Sequence, residues 1–204
     1  MPFKIEFISL KGNFYSKNLR KKIHFRLVAP PNYRVSPHPF PVLLMNDGQD
    51  YHDMKLEKSL QKAFSDTKIT PFVYVGIETD KDRMKDYGIS SSADYKGRGK
   101  KAGAYTKFII EEFIPFLKGE FNLSNNGLEW VFCGMSLGGL SAFDIVYNNP
   151  NHFGKAGVFS GSFWWRNKAY IKNDLLDRSR IILDVIKNGN VTIKGNYTDS
   201  FNKL

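Results

Sequence analysis

Four short apolar runs constrain this chain more than any other feature: Pro41 to Met45 (PVLLM), Pro71 to Ile77 (PFVYVGI), Glu129 to Cys133 (EWVFC) and Lys155 to Ser160 (KAGVFS). Runs of this length, closed by turn residues such as Asn46-Asp47-Gly48, suit strands buried on both faces. Between the first two, Lys55 to Phe64 spaces Leu56, Leu60, Ala63 and Phe64 as a helix does. Strand, helix and strand at that spacing predict a parallel crossover, and hence an α/β fold with a mainly parallel sheet between helical layers.

The remaining elements are fitted around these runs. Lys4 to Leu10 alternates loosely, and Lys22 to Val28 alternates more clearly, with Ile23, Phe25 and Leu27 on one side. Ala104 to Phe121 reads as an amphipathic helix kinked at Pro115, and Leu140 to Tyr147 as a second helix. Ala169 to Lys187 reads as a third, with Ile171, Leu175, Leu176, Ile182, Leu183 and Ile186 on its stripe, ahead of a short strand at Val191 to Ile193. Asp80 to Gly103 is a long polar stretch without a period, of the kind that often carries function. Its glycines at 97, 99 and 103 follow no strand and match neither phosphate-loop spacing. No repeat or linker interrupts the chain, so residues 1–204 are expected to form one domain.

With 42% hydrophobic and 25% charged residues, the chain can bury a core, and disorder and coiled coil are excluded. No apolar run approaches the roughly 20 residues that span a bilayer. The amino end scatters lysines among apolar residues, which predicts no secretory signal and a cytoplasmic location. Cys133 is the single cysteine, so internal disulfides and multi-cysteine metal sites are excluded. The formal charge of +10 is spread along the sequence, which reads as a lysine-rich solvated surface and not as a nucleic-acid groove. There is no HExxH, and the four histidines lack ligand spacing, so neither metal nor cofactor is expected. The Asn190-Val191-Thr192 and Asn196-Tyr197-Thr198 triplets fit the glycosylation pattern and are read as chance.

One motif carries chemistry. Gly134-Met135-Ser136-Leu137-Gly138 follows a predicted buried strand and precedes a predicted helix. That is the context of a nucleophile elbow, a turn that lifts a serine oxygen above the sheet and aims the next backbone N–H at a developing oxyanion.

Together with this elbow, LLMNDGQD at 43–50, RMKDYGIS at 83–90, AYTKFIIEEFIPFLKGEF at 104–121 and FGKAGVFSGSFWW at 153–165 resemble the enterochelin esterase-like branch of an esterase family within the α/β-hydrolases. The resemblance runs from about residue 20 to about residue 187. It implies a serine esterase acting on a small carboxylic ester, siderophore-like or another acyl ester, through an acyl-enzyme on Ser136. By the same resemblance Leu137 N–H, with Gly48 or Gln49 N–H, forms the oxyanion hole. The resemblance also implies that Arg83, Asp86 and Tyr87 lie beside the mouth and that Trp164 and Trp165 wall the pocket, so Arg83, Tyr87 and the two tryptophans are the expected substrate-binding residues.

The carboxyl end departs from that pattern. The fold orders its triad serine, acid, histidine, yet only His152 follows Ser136, in a helix-to-strand turn. His52 is the one earlier histidine expected near the mouth, and Asp177, Asp184 and Asp199 cannot be ranked as the acid without a histidine. The reading is therefore of a carboxyl-truncated esterase that lacks the last strand or strands, with an unpaired sheet edge open to self-association. The alternatives are an inactive remnant that binds a ligand, and an acyltransferase.

Overall fold

The computed structural model describes residues 8–66, 69–91, 93–94, 96–163 and 181–184, the last four by their backbone alone. The chain opens with an antiparallel hairpin of β1 (Ile8–Ser16) and β2 (Lys21–Ala29), in register from Ile8 opposite Ala29 to Ser16 opposite Lys21. The sequence places the first strand at Lys4 to Leu10, and residues 1–7 of that span lie outside the described residues. The strand instead runs on to Ser16 because it is half-buried: Leu10, Gly12 and Phe14 turn inward while Lys11, Asn13 and Tyr15 face solvent. A glycine among the inward positions hides that alternation.

The four apolar runs form β3 (Val42–Met45), β4 (Val73–Ile77), β5 (Trp130–Met135) and β6 (Lys155–Phe159). With β1, β2 and β7 (Ile181–Asp184) they make, among the described residues, a seven-stranded sheet in the order β1-β2-β4-β3-β5-β6-β7, parallel from β4 onward. β7 corrects the sequence reading of one helix over Ala169 to Lys187. Ile181-Ile182-Leu183 is a short, β-branched apolar run that completes the ladder beside β6, and the helical spacing of Ile182 and Ile186 concealed it. The edge of β6 is thus paired, by a segment different from the Val191 to Ile193 strand foreseen for it. The rest of 169–187, and 191–193, lie outside the described residues.

Helices cover both faces. One face buries Phe25, Leu27, Leu44, Val75, Phe132 and Val158 under α3 (Ala102–Lys107), α4 (Ile114–Glu120) and α5 (Ser136–Asn148). The other buries Val28, Met45, Tyr51, Tyr74 and Cys133 under α1 (Leu56–Ser65). The polar stretch after β4 contains one short helix, α2 (Arg83–Asp86).

The helix predicted over Ala104 to Phe121 is divided. A π-helical stretch at Phe108–Phe113 joins α3 to α4, and Pro115 sits in the first turn of α4. Proline removes one helical hydrogen bond and crowds the preceding turn, and the widened turn absorbs both effects without a break. On that widened turn, Glu112 accepts hydrogen bonds from Ser16 Oγ (2.6 Å) and from the N–H groups of Lys17 and Asn18 (both 3.1 Å), tying the β1–β2 turn to the helical layer. No helix among the described residues is long and apolar enough to cross a membrane.

Candidate active site

The C-terminal edge of a parallel sheet is where strands hand over to helices and loops, and three such handovers meet here. At the first, β5 passes directly into α5 at Ser136, whose φ of 50° lies in the left-handed region that non-glycine residues seldom occupy. The side chain is exposed, whereas Leu137 and Gly138 behind it are buried. Glycine is needed at both ends of the turn. A Cβ at Gly134 would collide with the Gly138 carbonyl, and one at Gly138 would sit 2.7 Å from Asp47 Oδ2. The sharp turn and the exposed serine are the geometry of a nucleophile elbow.

The second handover follows β3. Asn46 locks onto the elbow: its N–H donates to the Cys133 carbonyl (2.9 Å) and its Nδ2 to the Gly138 carbonyl (2.8 Å). The Tyr105 hydroxyl in turn donates to Asn46 Oδ1 (2.7 Å). Asp47 is left-handed, with φ 60°, and only 5% exposed. Arg83 grips its carboxylate with both arms, Nε to Oδ1 at 2.6 Å and Nη2 to Oδ2 at 2.8 Å, and Thr79 Oγ1 adds a 3.3 Å bond. That pairing holds the Arg83 guanidinium above its ordinary pKa. The Asp47 N–H donates to the Tyr87 hydroxyl (3.1 Å). A 3₁₀ turn at Gly48–Tyr51 comes next, and its first N–H groups have no acceptor within the turn. Gln49 pins it to the end of β4, its Oε1 accepting from Thr79 N–H (2.9 Å).

The third handover follows β6. Ser160 is left-handed as well, with φ 47°. The chain then folds back so that Ser162 N–H donates to the Ser136 carbonyl (3.1 Å) and the two serine hydroxyls lie 3.1 Å apart. Ser162 is 4% exposed, and Phe163 packs edge-on against Phe143 of α5 at 5.2 Å.

The family described as Putative esterase matches residues 16–191, most of the chain. This chain belongs to that esterase family. It is 30% identical over 164 residues to the uncharacterised protein YbbA of Bacillus subtilis (strain 168), covering 78% of this chain and 64% of that one. It is 24% identical over 181 residues to the iron(III) enterobactin esterase of Escherichia coli (strain K12), covering 88% of this chain and 41% of that one. The chain therefore spans less than two thirds of the length of either relative. Among solved structures, the BES protein from Bacillus cereus superposes with a TM-score of 0.72 at 22% identity, over 91% of this chain and 78% of that one. Its fold is shared, and the fold is of the α/β-hydrolase type.

Within this esterase-family chain, Ser136, Leu137, Gly48, Gln49 and Arg83 come together at one edge of the sheet. Tyr87 does not line the mouth. Its ring is fully buried beneath the guanidinium of Arg83, 5.2 Å from its centroid, and burial pushes the phenol pKa well above its ordinary value. Asp86 is likewise interior, 2% exposed and paired with Lys21 at 2.6 Å. Trp164 and Trp165 lie outside the described residues, as do Asp177 and Asp199.

None of the four histidines is placed against Ser136. His152 follows the far end of α5, a helix of 13 residues and so about 20 Å long. The His38 carbonyl accepts from Asn122 near the opposite edge of the sheet. His24 is on β2, three strands from β5, or about 14 Å at ordinary strand spacing. His52 is nearest in the chain to the 3₁₀ turn, but its Nε2 lies 3.3 Å from Arg26 Nη2. A guanidinium only donates, so the lone pair at that nitrogen is taken.

Sequence reasoning gave Ser162 no role and left Asp184 unranked. Ser162 sits inside a quoted motif, yet a serine 26 positions from Ser136 carries no pattern of its own. Asp184 could not be ranked as an acid. The register now sets it beside Phe159, which is itself opposite Met135, so its backbone shares the row of the residue that precedes Ser136.

Proposed function

We propose that this chain carries the nucleophile of a serine carboxylesterase. The Ser136 Oγ attacks an ester carbonyl, the acyl carbon bonds to Oγ as the bond to the alcohol oxygen breaks, and water then releases the acid. The observation that carries this reading is the left-handed, exposed Ser136 at the strand-to-helix turn. Leu137 N–H, in the first turn of α5, is one oxyanion donor. Because Tyr87 occupies the Asp47 N–H, the second donor falls to Gly48 or Gln49 in the 3₁₀ turn. Ser162 holds the nucleophile in place through the paired hydroxyls. Arg83 spends only two of its five N–H donors on Asp47 and is 30% exposed, which leaves it free to meet an anionic or catecholic acyl group. The resemblance to enterobactin esterases favours siderophore-like esters as substrates.

The order serine, acid, histidine makes Asp184 the candidate acid, on backbone position alone. A second reading, a scaffold that binds ester ligands without turning them over, is favoured by the placement of His24, His38, His52 and His152, none of which lies against Ser136. Hydrolysis of p-nitrophenyl butyrate separates the two readings when free imidazole is supplied from solution as the base. On the esterase reading, imidazole accelerates the wild-type chain at least tenfold over Ser136→Ala, and an acyl adduct is found on Ser136 by mass spectrometry. Equal rates for the two proteins and no adduct would leave the binding scaffold.

A further inference from the structure

The back of the Asp47 to Tyr51 loop faces the α1 side of the sheet, and three polar groups there are buried with no partner among the described residues: Arg26 Nε, the Tyr51 hydroxyl and the Tyr74 hydroxyl. Their residues are 9%, 2% and 1% exposed. The three are neighbours. Arg26 on β2 stands in register with Gly76 on β4, so the two share a face. Gly76 has no side chain, and the Tyr74 hydroxyl oxygen lies 2.5 Å from where its Cβ would be, with Gly48 Cα 3.1 Å from the same point. The Arg26 guanidinium lies 4.5 Å from the centroid of the Tyr51 ring, and that ring is 5.8 Å from Tyr74.

Charge and hydrogen bonding both ask for an occupant here. No carboxylate among the described residues forms an ion pair with Arg26, whose side-chain partners are His52 Nε2 at 3.3 Å and Ser9 Oγ at 3.4 Å. A guanidinium only 9% exposed, with the Tyr51 ring face as its one electrostatic complement among the described residues, is stabilised further by a counter-charge. Burial also keeps both phenols protonated, so each has a hydrogen to donate. These neighbouring groups hold three unpartnered donors, and a single water molecule accepts only two hydrogen bonds and brings no charge. We propose that Arg26, Tyr51 and Tyr74 form a buried site for one small monovalent anion, of the size of a halide, seated against the back of the loop that carries Gly48. The site stands independently of the chemistry at Ser136.

The probe is chloride, with sulfate at equal ionic strength as the control. Thermal unfolding of the full chain should give a Tm that rises saturably with chloride and not with sulfate; at ten times the dissociation constant the folding equilibrium shifts about 11-fold. The Tyr51→Phe/Tyr74→Phe double variant removes only the two hydroxyl oxygens and should lose that response. Chlorine-35 NMR should show line broadening by the wild type that the double variant lacks, a readout that does not depend on how stable the variant is. Identical unfolding in the two salts, or a chloride response and broadening that persist without the hydroxyls, would overturn the site.

Discussion

The loop after β3 separates two polar environments of opposite character. On its front, Asp47 has its carboxylate held by Arg83 and Thr79 and its N–H by Tyr87, while Asn46 is tied to the elbow and to Tyr105. On its back, Arg26, Tyr51 and Tyr74 each leave a buried polar atom without a partner among the described residues. The two sides are separated by a single short turn. Rigid placement of backbone donors calls for a well-satisfied network, and Asn46 and Asp47 have one on the front, although Asp86 Oδ1 on α2 is also buried without a partner among the described residues. A network left open in the interior marks a place where something other than protein completes it.

This contrast can be broken from the front. Arg83→Met leaves the 5%-exposed Asp47 carboxylate without its cation. The expected loss is about 2–4 kcal/mol, less than for a fully buried pair because Arg83 is partly exposed, and calorimetry should record a Tm lower by several degrees. Arg83→Lys should recover only part of this, since an ammonium cannot span both carboxylate oxygens. Unchanged unfolding in Arg83→Met would mean that the front network contributes nothing to the loop. Tyr87→Phe is the next largest change, stranding the buried Asp47 N–H at a cost of about 1–3 kcal/mol, measurable by urea unfolding. Ser162→Ala should cost about 1 kcal/mol and slow acylation of Ser136 several-fold, with little change in KM. An unaltered acylation rate would show that the paired hydroxyls do not position the nucleophile. The smallest effect belongs to the back face. Burial pushes the Cys133 thiol up to about 12, so it stays neutral near pH 8, and an aromatic disulfide reagent should label it only as fast as the chain unfolds.

The parts legible in the sequence are those with one dominant cause. β3 to β6 were read correctly because a strand buried on both faces leaves a continuous apolar run, and the elbow was read from its glycines. β7 was misread because three residues of Ile and Leu satisfy a helical spacing as readily as a strand, and only the neighbouring ladder decides between them. The 3₁₀ turn and α2 are too short to carry a period. Arg83 and Tyr87 were visible as a motif, but their division of labour was not. Whether a tyrosine lines a mouth or props a loop from beneath depends on what packs against it, and here that is Tyr105, 59 residues away from Asn46 in sequence, whose hydroxyl reaches the same loop. Arg26 left no trace at all, since it lies between Phe25 and Leu27 in a strand covered on both faces.

The widened turn at Phe108–Phe113 works as a one-residue phase shift in the helical layer. In an unbroken α-helix each added residue advances the surface by about 100°, so Glu112 owes its heading toward the β1–β2 turn to the extra residue in that turn. Deleting a single residue there would restore a regular helix, swing the carboxylate away from Ser16, Lys17 and Asn18, and leave the amino-terminal hairpin to its strand pairing and to the packing of Phe14 and Phe25 on the helical layer. The tether on the turn between the first two strands is thus set about a hundred positions downstream of it, by a count of residues as well as by the identity of Glu112.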